Sequence, residues 1–437
     1  MIMSWLKNNN IVKYQYGEKE IFYSPIGRCY VVADSGQYEQ FQANGNYKEV
    51  FEPLSSYVPL SEQRKVRAPK DYTLLTVLPN NVCNFACSYC YSAQGRNGSQ
   101  ITEDKLLPAI DYFFDSKESG YDRPLTISFM GGGEPLLSWE LVKKGAEYAL
   151  QKAHERGLRL NLRIITNGSI VDNEKIAFLK ANKVEISVSF EILREIQNMQ
   201  RKNYELVFSN IKTFLQEGID VQVNSTITPH NVDKMSEMIE ELHSQFPEIR
   251  NAMFEPVVAQ NMFSTPAEMH TFYERYIEEF VNSRKLADEY GIGLTSFAYL
   301  RTIFPLERAC PGELCITADG DFTGCYCVAT DKEPLFKLTK YGTVKNGIVL
   351  FDEKQYKWLL DQNVYSKSEC TDCEVKWNCG GGCFHQYRSY SEDYREEVCR
   401  FTRKFVEEIV KYKVERFMKS QVSVQAKLPI LLREEMR

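Results

Sequence analysis

The sequence predicts an α/β protein built on a parallel sheet, joined to a cysteine-rich region that draws its stability from elsewhere. Two observations carry this. Between residues 71 and 300, six short apolar runs alternate with six helix-period patterns, the order that right-handed strand–helix crossovers produce. Further on, nine of the 13 cysteines fall between Cys310 and Cys399, in a stretch with little apolar periodicity to form a core of its own.

Taken in order, residues 1–70 hold the β-like runs "IVKYQY", "EIFYS" and "CYVVA", separated by Gly-Glu, Pro-Ile-Gly and Asp-Ser-Gly turns. "SGQYEQFQA" then predicts a short helix, which makes this a small β-hairpin and helix module. The six units of residues 71–300 follow. "YTLLTVLP" precedes "TEDKLLPAIDYFF", "PLTISFM" precedes "WELVKKGAEYALQKA", and "LRLNLRIIT" precedes "NEKIAFLKA". "VEISVSF" leads to "YELVFSNIKTFLQ", "DVQVNSTIT" to "DKMSEMIEELHSQF", and "NAMFEPVV" to "AEMHTFYERYIEEFVNSRKLADEY". Strands apolar on both faces fit a barrel or a doubly wound sheet, and in barrels the chemistry gathers on loops leaving the carboxyl ends of the strands. Residues 301–415 form the cysteine-rich region and need staples other than a core. Their last stretch opens an amphipathic helix, "EEVCRFTRKFVEEIVKYKVERFMKS", with Phe401, Phe405 and Ile409 on one stripe and Val406, Val410 and Val414 on another. The tail over 416–437, ending "QVSVQAKLPILLREEMR", reads as a solvated or loosely docked end.

Composition narrows the function classes. A chain of 437 residues suffices for two or three domains. A net charge of −6, with no strongly basic block, argues against general nucleic-acid binding. The sequence has neither a signal-peptide pattern at its start nor an apolar run of membrane-spanning length, so a cytoplasmic protein is expected. In that reducing compartment an odd number of cysteines points to metal ligation rather than disulfides.

The thiols are grouped. "NNVCNFACSYCYSAQ" places Cys83, Cys87 and Cys90 on one loop after the first strand, at spacing C-x3-C-x2-C. Zinc usually takes a fourth ligand close by, whereas a 4Fe–4S cube held by three thiolates keeps one iron open. With Tyr89 before the last cysteine, the motif resembles the radical S-adenosylmethionine superfamily. The resemblance implies a partial (β/α)6 TIM-like barrel, in which the cube sends an electron to S-adenosylmethionine and yields a 5′-deoxyadenosyl radical. It also gives roles to residues at later strand ends. The turn "FMGGGEP", with Gly132, Gly133, Glu134 and Pro135, would bind the amino group of S-adenosylmethionine; glycines there let backbone carbonyls approach. Ser189 and Arg201, in "SVSFEILREIQNMQR", would hold its carboxylate, although Glu191 and Ile192 stand where the family carries Asp-Gly. Asn224 and Ser225 are placed to meet the ribose.

Downstream, Cys310, Cys315, Gly320-x4-Cys325 and Cys370-x2-Cys373-x5-Cys379-x3-Cys383, followed by Cys399, resemble the SPASM extension of that superfamily. The resemblance covers about residues 71–415 and implies two auxiliary 4Fe–4S clusters, three clusters in all. Cys310, Cys315, Cys325 and Cys383 match the ligands of the first, and Cys370, Cys373, Cys379 and Cys399 those of the second. A zinc ribbon on Cys370, Cys373, Cys379 and Cys383 is the alternative. Cys29 and Cys327 are left over; Cys327, two residues past a cluster ligand, is read as a buried or idle thiol, with reach to the substrate or an iron as the alternative. Of the five histidines, His385 follows Cys383 closely enough to line the auxiliary site, and Tyr326 is placed similarly.

SPASM enzymes act mainly on peptides and proteins. The expected function is a maturase of ribosomal precursor peptides (RiPP type) that forges a thioether or carbon–carbon crosslink, with an external one-electron reductant of flavodoxin or ferredoxin type. The alternatives are an anaerobic sulfatase maturase and a non-catalytic iron–sulfur electron-transfer protein. Sulfatase maturases carry a catalytic aspartate directly after the cysteine matching Cys325; here Tyr326 stands there. Peptide maturases often capture a leader peptide as an added strand on an N-terminal module, and residues 1–70 suit either that role or a cap over the barrel.

Overall fold

A computed structural model describes residues 2–56, 68–118, 120–121, 123–310, 313–420 and 428–433. Near the start, β1 (Val12–Tyr16), β2 (Lys19–Ser24) and β3 (Cys29–Asp34) form an antiparallel meander. The chain then enters an 11-stranded sheet. Its parallel part is β4 (Leu74–Val77), β5 (Leu125–Phe129), β6 (Leu160–Thr166), β7 (Glu185–Ser189), β8 (Val221–Ile227), β9 (Asn251–Pro256) and β10 (Gly293–Thr295), paired in chain order. Each of β4 to β9 is followed by the helix that its apolar periodicity predicts, from Glu103–Asp115 to Pro266–Glu289. The short β10 is an addition: three residues carry too little pattern to be read as a strand.

The sheet does not close. β4 pairs on its other side with β11 (Leu314–Ile316), in parallel, and β12 (Asp321–Thr323), β13 (Lys340–Lys345) and β14 (Ile348–Phe351) continue it as an antiparallel ribbon. The cysteine-rich region is therefore less core-poor than its sequence suggests. Leu314, Ile316, Phe322 and Tyr341 are buried in the same apolar core as Leu75, Val77 and Ile127. Aromatic contact supports the join, with Phe351 at 5.1 Å from Phe322 and 4.9 Å from Tyr112 between ring centres.

The helix Glu392–Ser420 is wedged between the two sheets. Its Phe401 stacks on Tyr273 of the Pro266–Glu289 helix at 4.3 Å, and Phe405 meets Phe280 at 5.4 Å. Its second stripe, Val406, Val410 and Val414, packs with Tyr14, Ile21, Tyr23 and Val32 of the N-terminal sheet. The tail corrects the expectation of a loosely docked end. Residues 421–427 lie outside the described residues, but β15 (Ile430–Arg433) pairs antiparallel with β3, from Ile430 opposite Val32 to Arg433 opposite Cys29. Leu432 is buried there, because alternate residues of a paired strand must face the module's core. Among the described residues no helix is long and apolar enough to cross a membrane.

Candidate functional site

The loop after β4 and the turn after β5 are built against each other. The amide of Gly133 donates to the Asn80 carbonyl at 2.9 Å and that of Glu134 to Val82 at 2.8 Å. The Asn80 side chain donates back to the Glu134 carbonyl at 2.9 Å. A Cβ on Gly133 would sit 1.9 Å from the Val82 carbonyl oxygen, and one on Gly132, whose φ is +64°, 2.5 Å from that of Asn80. The glycines thus serve close approach, but the approaching backbone is the cysteine loop itself, which revises the reason inferred from the sequence. Glu134 is turned inward: its carboxylate accepts from Thr166 Oγ1 at 2.6 Å, Asn167 N at 2.7 Å and Leu136 N at 3.1 Å. Burial pushes this carboxyl up, against the pull of those donors. Its side chain pins the turn to the end of β6. Pro135 opens a buried 3-10 turn behind the loop and does not border the cavity described next.

That cavity, about 460 Å³, opens at the carboxyl ends of the strands. Cys83, Cys87, Cys90, Tyr89, Gly132, Gly133, Glu134, Ser189 and Arg201 all line it. Arg96 donates to Cys90 Sγ at 3.5 Å and to the Phe85 carbonyl at 2.9 Å, which fixes the loop from inside. Burial raises the Cys87 thiol, offset in part by Arg201.

Behind this wall lies a buried polar network. Tyr89 donates its hydroxyl to Glu191, and Arg201 Nη1 donates to the Tyr89 oxygen at 2.9 Å. The other Glu191 oxygen accepts from Ser225 Oγ at 2.6 Å and Thr226 N at 3.1 Å. Glu191 is fully buried, and desolvation pushes its carboxyl up while Arg201 pulls it down. Burial alone would weaken the guanidinium of Arg201, yet Tyr89, Cys87 and Glu191 around it hold it charged. Its Nε has no partner among the described residues. Ser225 is thereby committed to Glu191, and neither it nor Asn224 borders the cavity; the ribose role expected for them has no geometric support. Ile192 keeps a φ of +62°, the left-handed conformation that a glycine takes without strain.

Downstream thiols line this cavity as well. Cys310, Cys325, Cys327 and Cys383 border the same cavity, as do His385 and Tyr326, whereas Cys315 does not. A second cavity, about 610 Å³, is lined by Cys370, Cys373, Cys379 and Cys399. The turn from Cys379 to Cys383 borders both. It is held tightly: a Cβ on Gly380, at φ +62°, would sit 2.5 Å from Ala309 N, next to Cys310. Desolvation raises Cys379 and Cys383, and pushes Cys370 and Cys399 up to about 11.

No disulfide links two cysteines among the described residues. Among the described residues no three His, Cys, Asp or Glu side chains converge as they would on a single metal ion. The thiols line cavity walls, as ligands on separate irons of a cube must. Unpartnered buried atoms of Arg96, Arg201, Asn378 and His385 border the first cavity too, and buried polar atoms demand partners. The donor set fits an iron–sulfur cluster with a polar ligand beside it.

Two carboxylates in this cavity escaped the sequence reading. Glu255, next to last in β9, accepts from Phe297 N at 2.8 Å and is pushed up to about 7 by burial. Glu313, with Oε2 unpartnered, is likewise pushed up to about 7. Glu255 had a legible signal, a lone acid in the apolar run "NAMFEPVV".

Residues 77–243 match the family model described as the radical SAM superfamily. They form a radical SAM domain. Over a longer span, the chain is 23% identical to a cysteine-type anaerobic sulfatase-maturating enzyme of Clostridium perfringens, covering 77% of this chain and 95% of that one. Native anSMEcpe with bound AdoMet and Kp18Cys peptide superposes with a TM-score of 0.61 at 17% identity, over 80% of this chain and 99% of that one. Streptococcus suis SuiB bound to precursor peptide SuiA gives a TM-score of 0.52 at 15% identity, over 75% and 76%. The radical SAM fold, α/β with a mostly parallel open sheet, is common to all three.

Proposed function

We propose that this chain is a radical SAM peptide maturase that oxidatively modifies a ribosomal precursor peptide, forming a thioether or carbon–carbon crosslink. One observation carries the reading: a single cavity is lined both by the three-thiol loop and by Cys310, Cys325 and Cys383. A peptide held in it would be within reach of both thiol groups. When bound, the cluster and S-adenosylmethionine would supply a 5′-deoxyadenosyl radical able to take hydrogen from an unactivated C–H bond. The residues present do the holding. Arg201 offers a charged, unpartnered N–H for a carboxylate, with Ser189 bordering the same space. Cys83, Cys87 and Cys90 would take the radical cluster. The thiols across the cavity would hold a first auxiliary cluster suited to accept the electron released as the new bond closes, and Cys370, Cys373, Cys379 and Cys399 a second. Glu255 and Glu313, both held near neutrality, are placed to accept a proton from the peptide. An external flavodoxin- or ferredoxin-type protein would supply electrons in the cytoplasm.

The second reading is an anaerobic sulfatase maturase, favoured by the long, if distant, relatedness to those enzymes. The aspartate expected after Cys325 is replaced by Tyr326, so that chemistry would need Glu255 or Glu313 as its base. For leader capture, the edge of β3 is already taken by β15, so an added strand would use β1 or the outer side of β15.

Anaerobic reconstitution tests the reading: three 4Fe–4S clusters give about twelve irons per chain. Replacing Cys83, Cys87 and Cys90 by Ala removes about four irons and abolishes formation of 5′-deoxyadenosine; its survival would refute the site. Offering a short Cys-containing sulfatase peptide beside precursor peptides encoded near the gene separates the two substrates by mass spectrometry.

A further inference from the structure

The geometry points to Cys327, in place of Cys315, as the fourth ligand of the auxiliary cluster held by Cys310, Cys325 and Cys383. This rests on the iron–sulfur reading above and departs from the ligand set that the resemblance implies.

Cys315 is the middle residue of β11, hydrogen-bonded into the sheet between β4 and β12, opposite Thr76 and Thr323. Side chains alternate along a strand. Leu314 and Ile316 accordingly enter the main core, while Cys315 faces the other way into a small apolar group with Leu78 and Ala329. All three are buried, at 0%, 0% and 2% exposure, and Met130 and Tyr326, which do border the cavity, pack against them. The thiol is thus covered below the cavity floor. Bringing it to the cavity would mean moving a strand paired on both sides.

Cys327 has no such constraint. It lies in the turn after β12, shares the cavity with Cys310, Cys325 and Cys383, and packs beside Cys325. Its thiol interacts directly with that of Cys325 and is close enough to feel Cys383 and Cys310. The thiol that acts on Cys315 is that of Cys325. Four soft donors facing one space suit an iron–sulfur cube. On ligation each thiol gives up its proton to solvent as iron takes the sulfur, which breaks the Cys325–Cys327 contact.

The full-length chain bearing Cys83→Ala, Cys87→Ala and Cys90→Ala, reconstituted with iron and sulfide, isolates the downstream thiols. Adding Cys327→Ala is expected to shed about four irons or to change the EPR signal of the reduced protein. Cys315→Ala is expected to leave iron content and EPR as in the parent. Because Cys315 is packed among apolar neighbours, Cys315→Val is compared alongside it, with the far-UV spectrum and thermal midpoint recorded for both. Unchanged iron and EPR in Cys327→Ala would overturn the assignment. So would loss of a cluster from a Cys315 variant that remains folded. A parent that takes up no iron would sink the iron–sulfur reading itself, an outcome distinct from a wrong choice of thiol.

Discussion

Gly133 has no room for a side chain, since the Val82 carbonyl already occupies the place of its Cβ. Gly133→Ala must push the cysteine loop away from the turn, and such backbone conflicts cost on the order of 3 kcal/mol. The expected outcome is a lower denaturation midpoint together with iron loss from the Cys83 site, read by urea titration and iron assay. Glu191 is a stronger case. Glu191→Ala leaves Arg201 as a buried charge without its carboxylate, a loss of about 3–5 kcal/mol; Glu191→Gln keeps the shape and should recover part of it. Glu255 gives a pH signature. Its carboxyl titrates near 7 when folded against about 4.5 when exposed, with Arg301 the charged group facing it and Phe297 N its donor. Below about pH 4.5 it is neutral in both states and its contribution is complete. As pH rises through 7 the unfolded chain has already released the proton, so stability falls. Thermal midpoints measured between pH 5 and 7.5 should fall less steeply in Glu255→Gln.

At this scale the sequence was legible where a motif constrains chemistry and illegible where it constrains packing. Tyr89, Ser189, Arg201 and the opening thiols all reach the cavity. The inward turn of Glu134 and the burial of Ser225 depend on partners more than thirty residues away, which no local pattern encodes.

Among the elements, the six strand–helix units and the last helix could be read because each repeats an apolar period over many residues. Both stripes of the Glu392–Ser420 helix find separate surfaces, Phe401 the Pro266–Glu289 helix and Val410 the N-terminal sheet. The three-residue strands β10, β11 and β12 could not be read, because runs that short carry no periodicity. β15 was hidden for another reason: "ILLR" is unremarkable until β3 is beside it. Leu432→Ala empties a buried position of that strand, and such truncations cost about 2–5 kcal/mol. Faster amide hydrogen exchange in β3 and β15, with β5 to β8 unchanged, is the expected result.

For the molecule as a whole, the two cavities and the N-terminal sheet form one mechanical unit. Asn378, beside the shared Cys379–Cys383 turn, donates to the Tyr23 hydroxyl of β2 at 2.8 Å and to the Arg301 carbonyl at 3.1 Å. Cys373 packs against the same sheet. Asn378→Ala is therefore expected to loosen Cys379 and Cys383, on the turn that borders both cavities, seen as broadened EPR signals from the auxiliary clusters proposed there, with the signal of the Cys83 site unchanged.

The pairing of β3 with β15 also sets a timetable. Residues 29–34 leave the ribosome about 400 residues before residues 430–433, a wait of roughly 20–80 s at ordinary elongation rates. Throughout that interval the nascent chain carries an unpaired strand border, open to trespass by neighbouring chains.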